Sequence, residues 1–208
     1  KLGIQGVWRG KNKQTTRSRD DQKRADDLVK RNFNADHPDQ LWVSDFTYIQ
    51  THSGWVYTAF IIDVFSRAIV GWKVSTRMNT DMVLDALEQA LHDRGMPKNV
   101  IHHSDRGVQY LSIRYTNRLE AANLRASVGT TGDSYDNALA ETVNGLYKTE
   151  VIEYLKADWQ GLADVQLATL NWVDWFNKKR VHGALGYVSP FEFEAMYYDK
   201  INPLGQVA

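Results

Sequence analysis

Three acidic residues lie in sequence contexts that offer a carboxylate few groups to pair with. Asp45 interrupts an apolar, aromatic strand segment, Asp105 closes a second strand segment, and Glu141 lies on a later helix. An ionised carboxylate among apolar side chains is disfavoured unless it is paired or bound to metal. If the three residues converge, they form a two-metal site suited to phosphoryl transfer on nucleic acid.

The electrostatics of such a cluster indicate which metal it would bind. Two carboxylates about 4 Å apart repel by roughly 4 kcal/mol at the effective dielectric of a protein surface. A divalent cation offsets this repulsion, and oxygen ligands without cysteine select Mg²⁺ or Mn²⁺ over zinc. The sequence has no cysteine, which also excludes disulfides and cysteine nucleophiles.

Each acid also has a purely structural interpretation. Asp45 can be a solvent-facing residue on an alternating strand, and Asp105 can be a turn acid. Glu141 can belong to a solvated helix face. Asp63 is a competing strand acid, but its place at the start of a turn predicts that it hydrogen-bonds the backbone or pairs with Arg67, so we place no metal on it.

Polar side chains recur along one side of the helix that carries Glu141. Asn137, Asn144 and Lys148 are spaced with it by four, three and four residues, so all four stack on one face. Glu141 and Lys148 are separated by nearly two turns, or about 10 Å of rise. This spacing suits a carboxylate at the scissile phosphate and a cation on the flanking DNA backbone. Asn137 can orient Glu141, touch a base or cap the helix.

The elements that must position these residues alternate between strands and helices. Strands are predicted over 41–51, 55–64, 68–75, 99–105 and 124–128. Helices are predicted over 20–32, from a cap at Thr80, over 112–122, from a cap at Asp133 or Ser134 to Ile152, over 160–178, and from a capping box at Ser189. This order is the ribonuclease-H-like α/β layout, a five-stranded mixed sheet flanked by helices. In that layout, acids of the first and fourth strands are neighbours.

Charge is distributed unevenly, although the net charge of the 208 residues is zero. Residues 1–31 hold ten Lys and Arg against four Asp, so the remaining 177 residues carry a net −6. We therefore predict a basic N-terminal arm over 1–40. The order of elements then predicts a core over 41–155, which the resemblance described below implies is catalytic, and a C-terminal helical extension over 156–208. A solvated, partly disordered tail is the alternative for the arm. No apolar run approaches the length of a membrane span.

Five stretches together resemble the catalytic half of IS3-family insertion-sequence transposases, which are akin to retroviral integrase cores. They are LWVSDFTYI, FIIDVFSRAIVGW, IHHSDRGVQY, DSYDNALAETVNGLYKTE and FNKKRVHGALGYVSP. They cover roughly residues 28–195 in family order, and the 35 residues between Asp105 and Glu141 match the family's DD(35)E spacing. Members carry DNA-binding segments ahead of this core, so we expect a fragment in which residues 1–8 are the remnant of such a segment.

The resemblance implies that Asp45, Asp105 and Glu141 are catalytic and ligate two Mg²⁺ ions, with Mn²⁺ able to substitute. It implies DNA contacts for Arg106, Gln109, Asn137, Asn144, Lys148, Arg180 and His182. For the basic segment around Arg180, a solvated helix end is the alternative. The resemblance further implies a bacterial, cytoplasmic and nucleoid-associated enzyme. Such an enzyme acts on double-stranded DNA, at terminal repeats and at a target, as a homo-oligomer and away from membranes.

Two other classes of protein are alternatives to a metal-dependent transposase. One is a ribonuclease-H-like nuclease that cuts structured DNA or RNA. The other is a DNA-binding or assembly module that has lost catalysis, although the presence of all three acids counts against it. Metal-dependent joining of a 3′-hydroxyl end to a second DNA distinguishes the transposase from both.

Overall fold

A five-stranded mixed sheet forms the centre of the molecule. The computed structural model describes residues 25–30, 32–105, 107–129, 137–155 and 158–202. The strands are β1 (Leu41–Thr51), β2 (Gly54–Asp63), β3 (Ile69–Ser75), β4 (Ile101–Ser104) and β5 (Arg125–Val128), in the order β3-β2-β1-β4-β5. The pairs among β1, β2 and β3 are antiparallel, whereas β4 is parallel to both β1 and β5. The predicted meander and mixed sheet are confirmed.

Helices cover both faces of this sheet. They are α1 (Thr80–Asp93), α2 (Ile113–Ala121), α3 (Ala138–Tyr147), α4 (Leu162–Lys178) and α5 (Pro190–Ile201). A π-helical segment, Lys148–Glu153, continues α3. Such segments are rare in proteins, and those that occur are often found at functional sites. Among the residues that the structure describes, none of these helices has the length and apolar character that crossing a membrane needs.

The buried side chains form two clusters, one on each face of the sheet. One cluster holds the inner sides of α1 and α2 against residues such as Trp42 and Ile61. The other holds α3 and α4, where Trp172 and Phe176 lie in the same cluster as Val43. The segment predicted as a C-terminal extension therefore shares a hydrophobic core with β1.

Side-chain caps determine where three of the described helices begin, namely Asn79 at α1, Ser112 at α2 and Ser189 at α5. Ser189 accepts a hydrogen bond from the Glu192 N–H, and the Glu192 carboxylate accepts one from the Ser189 N–H, which confirms the capping box. The predicted cap of α1 is wrong by one residue. Asn79, not Thr80, accepts the hydrogen bond from the Met82 N–H, at 3.2 Å. Asparagine is the better capping residue of the two, so Thr80 becomes the first residue of the helix.

Two other predicted helices are only partly described. The predicted cap at Asp133 or Ser134 lies outside the described residues, and α3 is seen from Ala138 onwards. Of the helix predicted over 20–32, residues 20–24 also lie outside. Residues 25–30 are not helical, because the Asp27 carboxylate accepts hydrogen bonds from the Val29 and Lys30 N–H groups and closes a turn instead.

Asp63 closes the turn between β2 and β3. Its carboxylate accepts hydrogen bonds from the Ser66 N–H at 2.8 Å, the Ser66 hydroxyl at 2.9 Å and the Asp39 N–H at 2.7 Å. Burial raises the pKa of Asp63 despite these hydrogen bonds. The predicted turn-locking role of Asp63 is confirmed, because its carboxylate holds the turn through these hydrogen bonds.

Candidate active site

Asp45 and Asp105 come from the two central, parallel strands. β1 and β4 pair from Leu41–Ile101 to Ser44–Ser104, so each aspartate directly follows the last residue that its strand contributes to this pairing. Asp105 lies one residue beyond β4, so the predicted strand over 99–105 was two residues too long at its start and one at its end. Because paired residues of parallel strands lie side by side, the two aspartates are neighbours at the point where β4 ends.

Two hydrogen bonds hold the carboxylate of Asp45. The Phe46 N–H donates to Oδ1 at 2.8 Å, and the Asn144 side chain donates from Nδ2 to Oδ2 at 2.9 Å. Burial and then the negative charge of Asp105 raise the pKa of Asp45 to about 7, with a smaller contribution from Glu141. A carboxyl group whose pKa is raised by burial and by a charged neighbour is typical of functional sites.

Asp105 is held by the segment that follows it. The Gly107 N–H donates to Asp105 Oδ1 at 2.8 Å. A Cβ at position 107 would lie 2.9 Å from that oxygen and 3.2 Å from Gln109 Oε1, so a larger residue there would displace the Asp105 carboxylate or the Gln109 side chain. Gln109 thus lies beside Asp105, while Arg106 is outside the described residues. Burial raises the pKa of Asp105, opposed by the Gly107 hydrogen bond and by the nearby His103.

Glu141 lies in the first turn of α3, with an exposed side chain. Partial burial and the negative charge of Asp105 raise the pKa of Glu141. The three acids therefore act on one another electrostatically. Within the described ranges, however, no group of three His, Cys, Asp or Glu side chains is close enough together to hold a metal ion. The donor chemistry fits a hard cation such as Mg²⁺, because all the donors are oxygens and they repel one another.

The two predicted asparagines connect α3 to β1. Asn137 donates from Nδ2 to the Ser44 carbonyl at 3.0 Å, next to the Asn144 contact with Asp45. Their exposed fractions are only 6% and 8%. Asn137 precedes α3 without capping it through its side chain. These contacts position Asp45 relative to α3, and a contact of either asparagine with DNA stays a prediction.

Lys148 lies further along the same face, where α3 passes into the π-helical segment. Its Nζ is 4.9 Å from the centroid of the Tyr48 ring, within the range of a cation–π interaction. Tyr48 follows Asp45 by three residues on β1 and is exposed. The sequence analysis did not single out Tyr48. The available signal was a large aromatic residue at an exposed position of the strand that carries Asp45.

The predicted DNA contacts near the C-terminus lie within a network inside the protein. Arg180 donates to Glu150 from two nitrogens, at 2.7 and 2.9 Å, and Glu150 also accepts a hydrogen bond from Trp172 Nε1 at 3.0 Å. Burial and the charge of Arg180 lower the pKa of His182 to about 4, so its ring is neutral at pH 7. These contacts favour the structural alternative, and DNA contact by either residue stays a prediction. Glu150 was missed because nothing local marks it as the partner of Arg180.

Comparison with known proteins identifies the family. A family profile described as an integrase core domain matches residues 35–134, and a second with the same description matches residues 122–190. The chain is 56% identical over 200 residues to the transposase for insertion sequence element IS629 of Shigella sonnei, covering 96% of this chain and 66% of the relative. It is 51% identical over 203 residues to a Mycobacterium tuberculosis protein named as a transposase for IS986/IS6110, covering 95% and 73%.

A more distant relative is transposase InsF of IS3A from Escherichia coli, 38% identical over 172 residues, with 82% of this chain and 59% of the relative covered. The chain therefore spans between 59% and 73% of the length of these three relatives.

Solved structures of retroviral integrases share the fold. The catalytic core domain of HTLV-2 integrase, in complex with magnesium, has a TM-score of 0.61 and 18% identity over 77% of this chain and 99% of that chain. A chain of the simian T-cell lymphotropic virus intasome has a TM-score of 0.67 and 16% identity, covering 83% and 58%. The predicted ribonuclease-H-like fold is thereby confirmed. The chain belongs to the IS3 family of insertion-sequence transposases and contains their integrase core domain.

Proposed function

We propose that this chain cleaves DNA at the ends of an insertion sequence and joins the freed 3′-hydroxyl ends to DNA. The observation that carries the proposal is that parallel pairing of β1 with β4 puts Asp45 and Asp105 side by side, near enough to the α3 residue Glu141 for their charges to raise its pKa and that of Asp45. Relatives named as transposases, similar over nearly the whole chain, support this reaction class.

Asp45, Asp105 and Glu141 would hold two divalent cations, Mg²⁺ or Mn²⁺. The HTLV-2 integrase core solved with magnesium supports this choice of metal. When bound, such cations favour ionisation of an attacking water or 3′-hydroxyl and stabilise the leaving oxygen. Glu141 would complete the ligand set from the first turn of α3, where its side chain is exposed.

The other residues of the site orient the two aspartates. Asn144 and the Phe46 N–H each occupy one oxygen of Asp45, and the Gly107 N–H occupies Oδ1 of Asp105. Hydrogen bonds of this kind fix the direction in which a carboxylate presents its remaining lone pairs. Since metal ligands must be deprotonated, a pKa near 7 at Asp45 couples cation binding to loss of a proton. Metal affinity should therefore fall as the pH decreases below 7.

The proposed substrates are double-stranded DNA at the terminal repeats and at the target. Lys148, which directly follows α3 at the start of the π-helical segment, would contact the flanking phosphates. The named relatives are bacterial, so we propose that the chain acts on DNA in the bacterial cytoplasm, at the nucleoid. Integrase cores described as dimeric and trimeric, and an intasome, support action as a homo-oligomer on paired ends.

The test is cleavage and joining of a labelled duplex that carries an element end, with Mn²⁺ and with Mg²⁺. We expect Glu141→Gln to lose activity by at least about 100-fold. The matched control is Glu153→Gln, an exposed glutamate on the π-helical segment, which should keep the parent activity. Equal activity of parent and Glu141→Gln would remove Glu141 from the mechanism. Cleavage without joining would favour the nuclease alternative, and binding without cleavage would favour the assembly module.

A further inference from the structure

An exposed cluster of two aromatic rings and a cation lies beside the acidic site, and we call it the hairpin platform: Tyr48, Trp55 and Lys148. The Tyr48 and Trp55 rings meet edge to face, with their centroids 5.3 Å apart, on the β1–β2 hairpin. Their exposed fractions are 54% and 49%. Lys148 Nζ lies 4.9 Å from the centroid of the Tyr48 ring.

The hairpin holds these rings in the solvent on a fixed backbone. β4 ends at Ser104 opposite Ser44, so the rest of β1 extends beyond its parallel neighbour. The turn of the hairpin is anchored by two backbone hydrogen bonds, from the His52 N–H to the Trp159 carbonyl at 2.9 Å and from the Ser53 N–H to the Gln160 carbonyl at 3.0 Å. The rings are therefore presented without a loop to order, which lowers the entropic cost of binding a ligand on them.

The charge of Lys148 is available to a ligand. The ion pairs among described residues do not involve it. Its described contact is the face of Tyr48, which attracts a cation without neutralising it. Proteins bind single-stranded nucleic acid with this combination of groups: the bases stack on the aromatic rings, and the cation attracts the phosphates.

The distance from the platform to the acids matches a short length of DNA strand. Tyr48 follows Asp45 by three residues of β1, which is about 10 Å along the strand, and this odd spacing directs the two side chains to opposite faces of the sheet. Lys148, which follows the helix of Glu141, lies over the Tyr48 ring and links the two. Lys148 follows Glu141 by seven residues of helix, again about 10 Å. Successive nucleotides of a stacked strand are about 3.4 Å apart along the axis and those of an extended strand are further apart, so the platform lies within about three nucleotides of the acids.

We propose that the hairpin platform binds an unpaired nucleotide within about three positions of the phosphate that is cleaved. Its base stacks on Tyr48 or Trp55, and its phosphate lies at Lys148. The proposal rests on the proposed function and adds to it that the chain prefers a DNA end opened near the cleaved position. Paired bases are already stacked in the duplex, so the platform discriminates in favour of an unpaired base. Stacking tolerates any sequence because every base has a π-face.

The test compares two probes in EDTA, where no cleavage takes place. One is a duplex end with a three-nucleotide unpaired flank that carries 2-aminopurine, and the other is the fully paired duplex. We expect Tyr48→Ala and Trp55→Ala to weaken binding of the unpaired probe by about 5- to 150-fold and to abolish the quenching of 2-aminopurine. Binding of the paired probe should be unchanged, and Tyr48→Phe should behave as the parent chain.

One control variant and one further platform variant accompany these substitutions. Tyr198→Ala removes an aromatic residue of α5 that is 43% exposed, and it should leave binding of both probes unchanged. Lys148→Gln should reduce the slope of log affinity against log salt concentration by about 0.7 on the unpaired probe, as expected for the loss of one phosphate contact. Thermal melting of each variant confirms that it is folded.

Three outcomes would contradict the platform proposal. The first is that Tyr48→Ala binds the unpaired probe as the parent chain does, and the second is that it loses the same affinity for both probes. The third is that the variant changes its oligomeric state and not its affinity, which would show that the rings contact another protein chain. The proposed function is tested separately by cleavage and joining with Mn²⁺. If the parent chain cleaves and joins DNA but the variants do not change binding of the probes as expected, the platform proposal alone is wrong. If the probes bind as expected but the parent chain is inactive, the catalytic assignment alone is wrong.

Discussion

Asp45 is the residue at which folding and the proposed chemistry oppose each other most directly. Its carboxyl group is buried beside Asp105, and both effects favour the protonated form. Asn144 and the Phe46 N–H offset only part of this cost, because the pKa of Asp45 still reaches about 7. The metal-free chain therefore keeps an acid that is destabilising when ionised, which a bound cation would reverse.

Replacing Asp45 with Asn should stabilise the metal-free chain, and more so at alkaline pH. The usual pKa of 3.8 applies to the unfolded chain and about 7 to the folded one. Between these values the folded state retains a proton that the unfolded state has lost, so the parent loses stability as the pH rises. Asn has no charge, so its advantage should grow by on the order of 2 kcal/mol between pH 5 and pH 8. Urea unfolding in EDTA measures this, and an advantage independent of pH contradicts it.

Asn144→Ala should affect catalysis more than DNA binding. The substitution removes the 2.9 Å hydrogen bond to Asp45, so the pKa of Asp45 rises further and its orientation is less fixed. We expect kcat for end cleavage to fall about 10- to 100-fold, and the acid limb of the pH–rate profile to move to higher pH. The exposed Asn171 of α4 provides the matched control, Asn171→Ala. If Asn144→Ala weakens DNA binding and leaves kcat unchanged, the predicted DNA contact is right and the positioning role is wrong.

At the scale of elements, the π-helical segment is tied to the end of α4 by the Glu150–Arg180 pair. Glu150 accepts hydrogen bonds from Arg180 and from Trp172, so it joins the segment that carries Lys148 to the C-terminal part of the chain. About a fifth of the Arg180 side chain and a quarter of the Glu150 side chain are exposed, so water screens the pair only partly. This contact sets the direction in which the chain leaves α3.

Arg180→Ala should therefore destabilise the fold. We expect the free energy of unfolding to fall by about 2 kcal/mol, because the buried side of Glu150 loses charged hydrogen-bond donors. Arg114→Ala is the matched control, since Arg114 pairs with Asp81 in a contact where both side chains are more than half exposed. Such a pair contributes about 0–1 kcal/mol. Chemical denaturation measures both variants. A stable Arg180→Ala chain with weakened DNA binding would instead support the predicted DNA contact.

At the scale of the whole molecule, the distance between sheet and helix depends on one glycine. Gly71 of β3 faces α1, and a Cβ there would lie 2.3 Å from the Ala86 carbonyl oxygen and 2.9 Å from the Ala90 Cβ. Real side chains do not approach this closely, so a larger residue must push α1 away from the sheet. The packing of this helical layer therefore requires glycine at position 71.

Gly71→Ala should lower the free energy of unfolding by about 1–3 kcal/mol through overpacking. Gly145→Ala is the matched variant with the opposite expected effect, because a Cβ at Gly145 on α3 would have no atom within 4 Å. There alanine should stabilise the helix by up to about 1 kcal/mol. Urea denaturation of the two variants compares them directly. Shifts of the same sign in both would show that backbone propensity, and not the contact with α1, controls the effect at Gly71.

Local patterns explain why much of the architecture could be predicted. Alternation and β-branched enrichment placed β1 at its observed bounds, and the order of strands and helices predicted the mixed sheet. The boundaries that were missed depend on competition between neighbouring side chains. Asn79 caps α1 in place of Thr80, and β4 ends before Asp105, whose carboxylate turns back to the Gly107 N–H.

The sequence by itself determined which acids are present, which strands and helix carry them, and the family to which the chain belongs. Only the tertiary structure decided that Asn144 holds Asp45, that Arg180 pairs with Glu150, and that Lys148 lies over Tyr48. These partners are separated by 99, 30 and 100 residues. Residues so far apart meet only when helices are packed on the sheet at a given angle and distance, and no local pattern encodes that geometry.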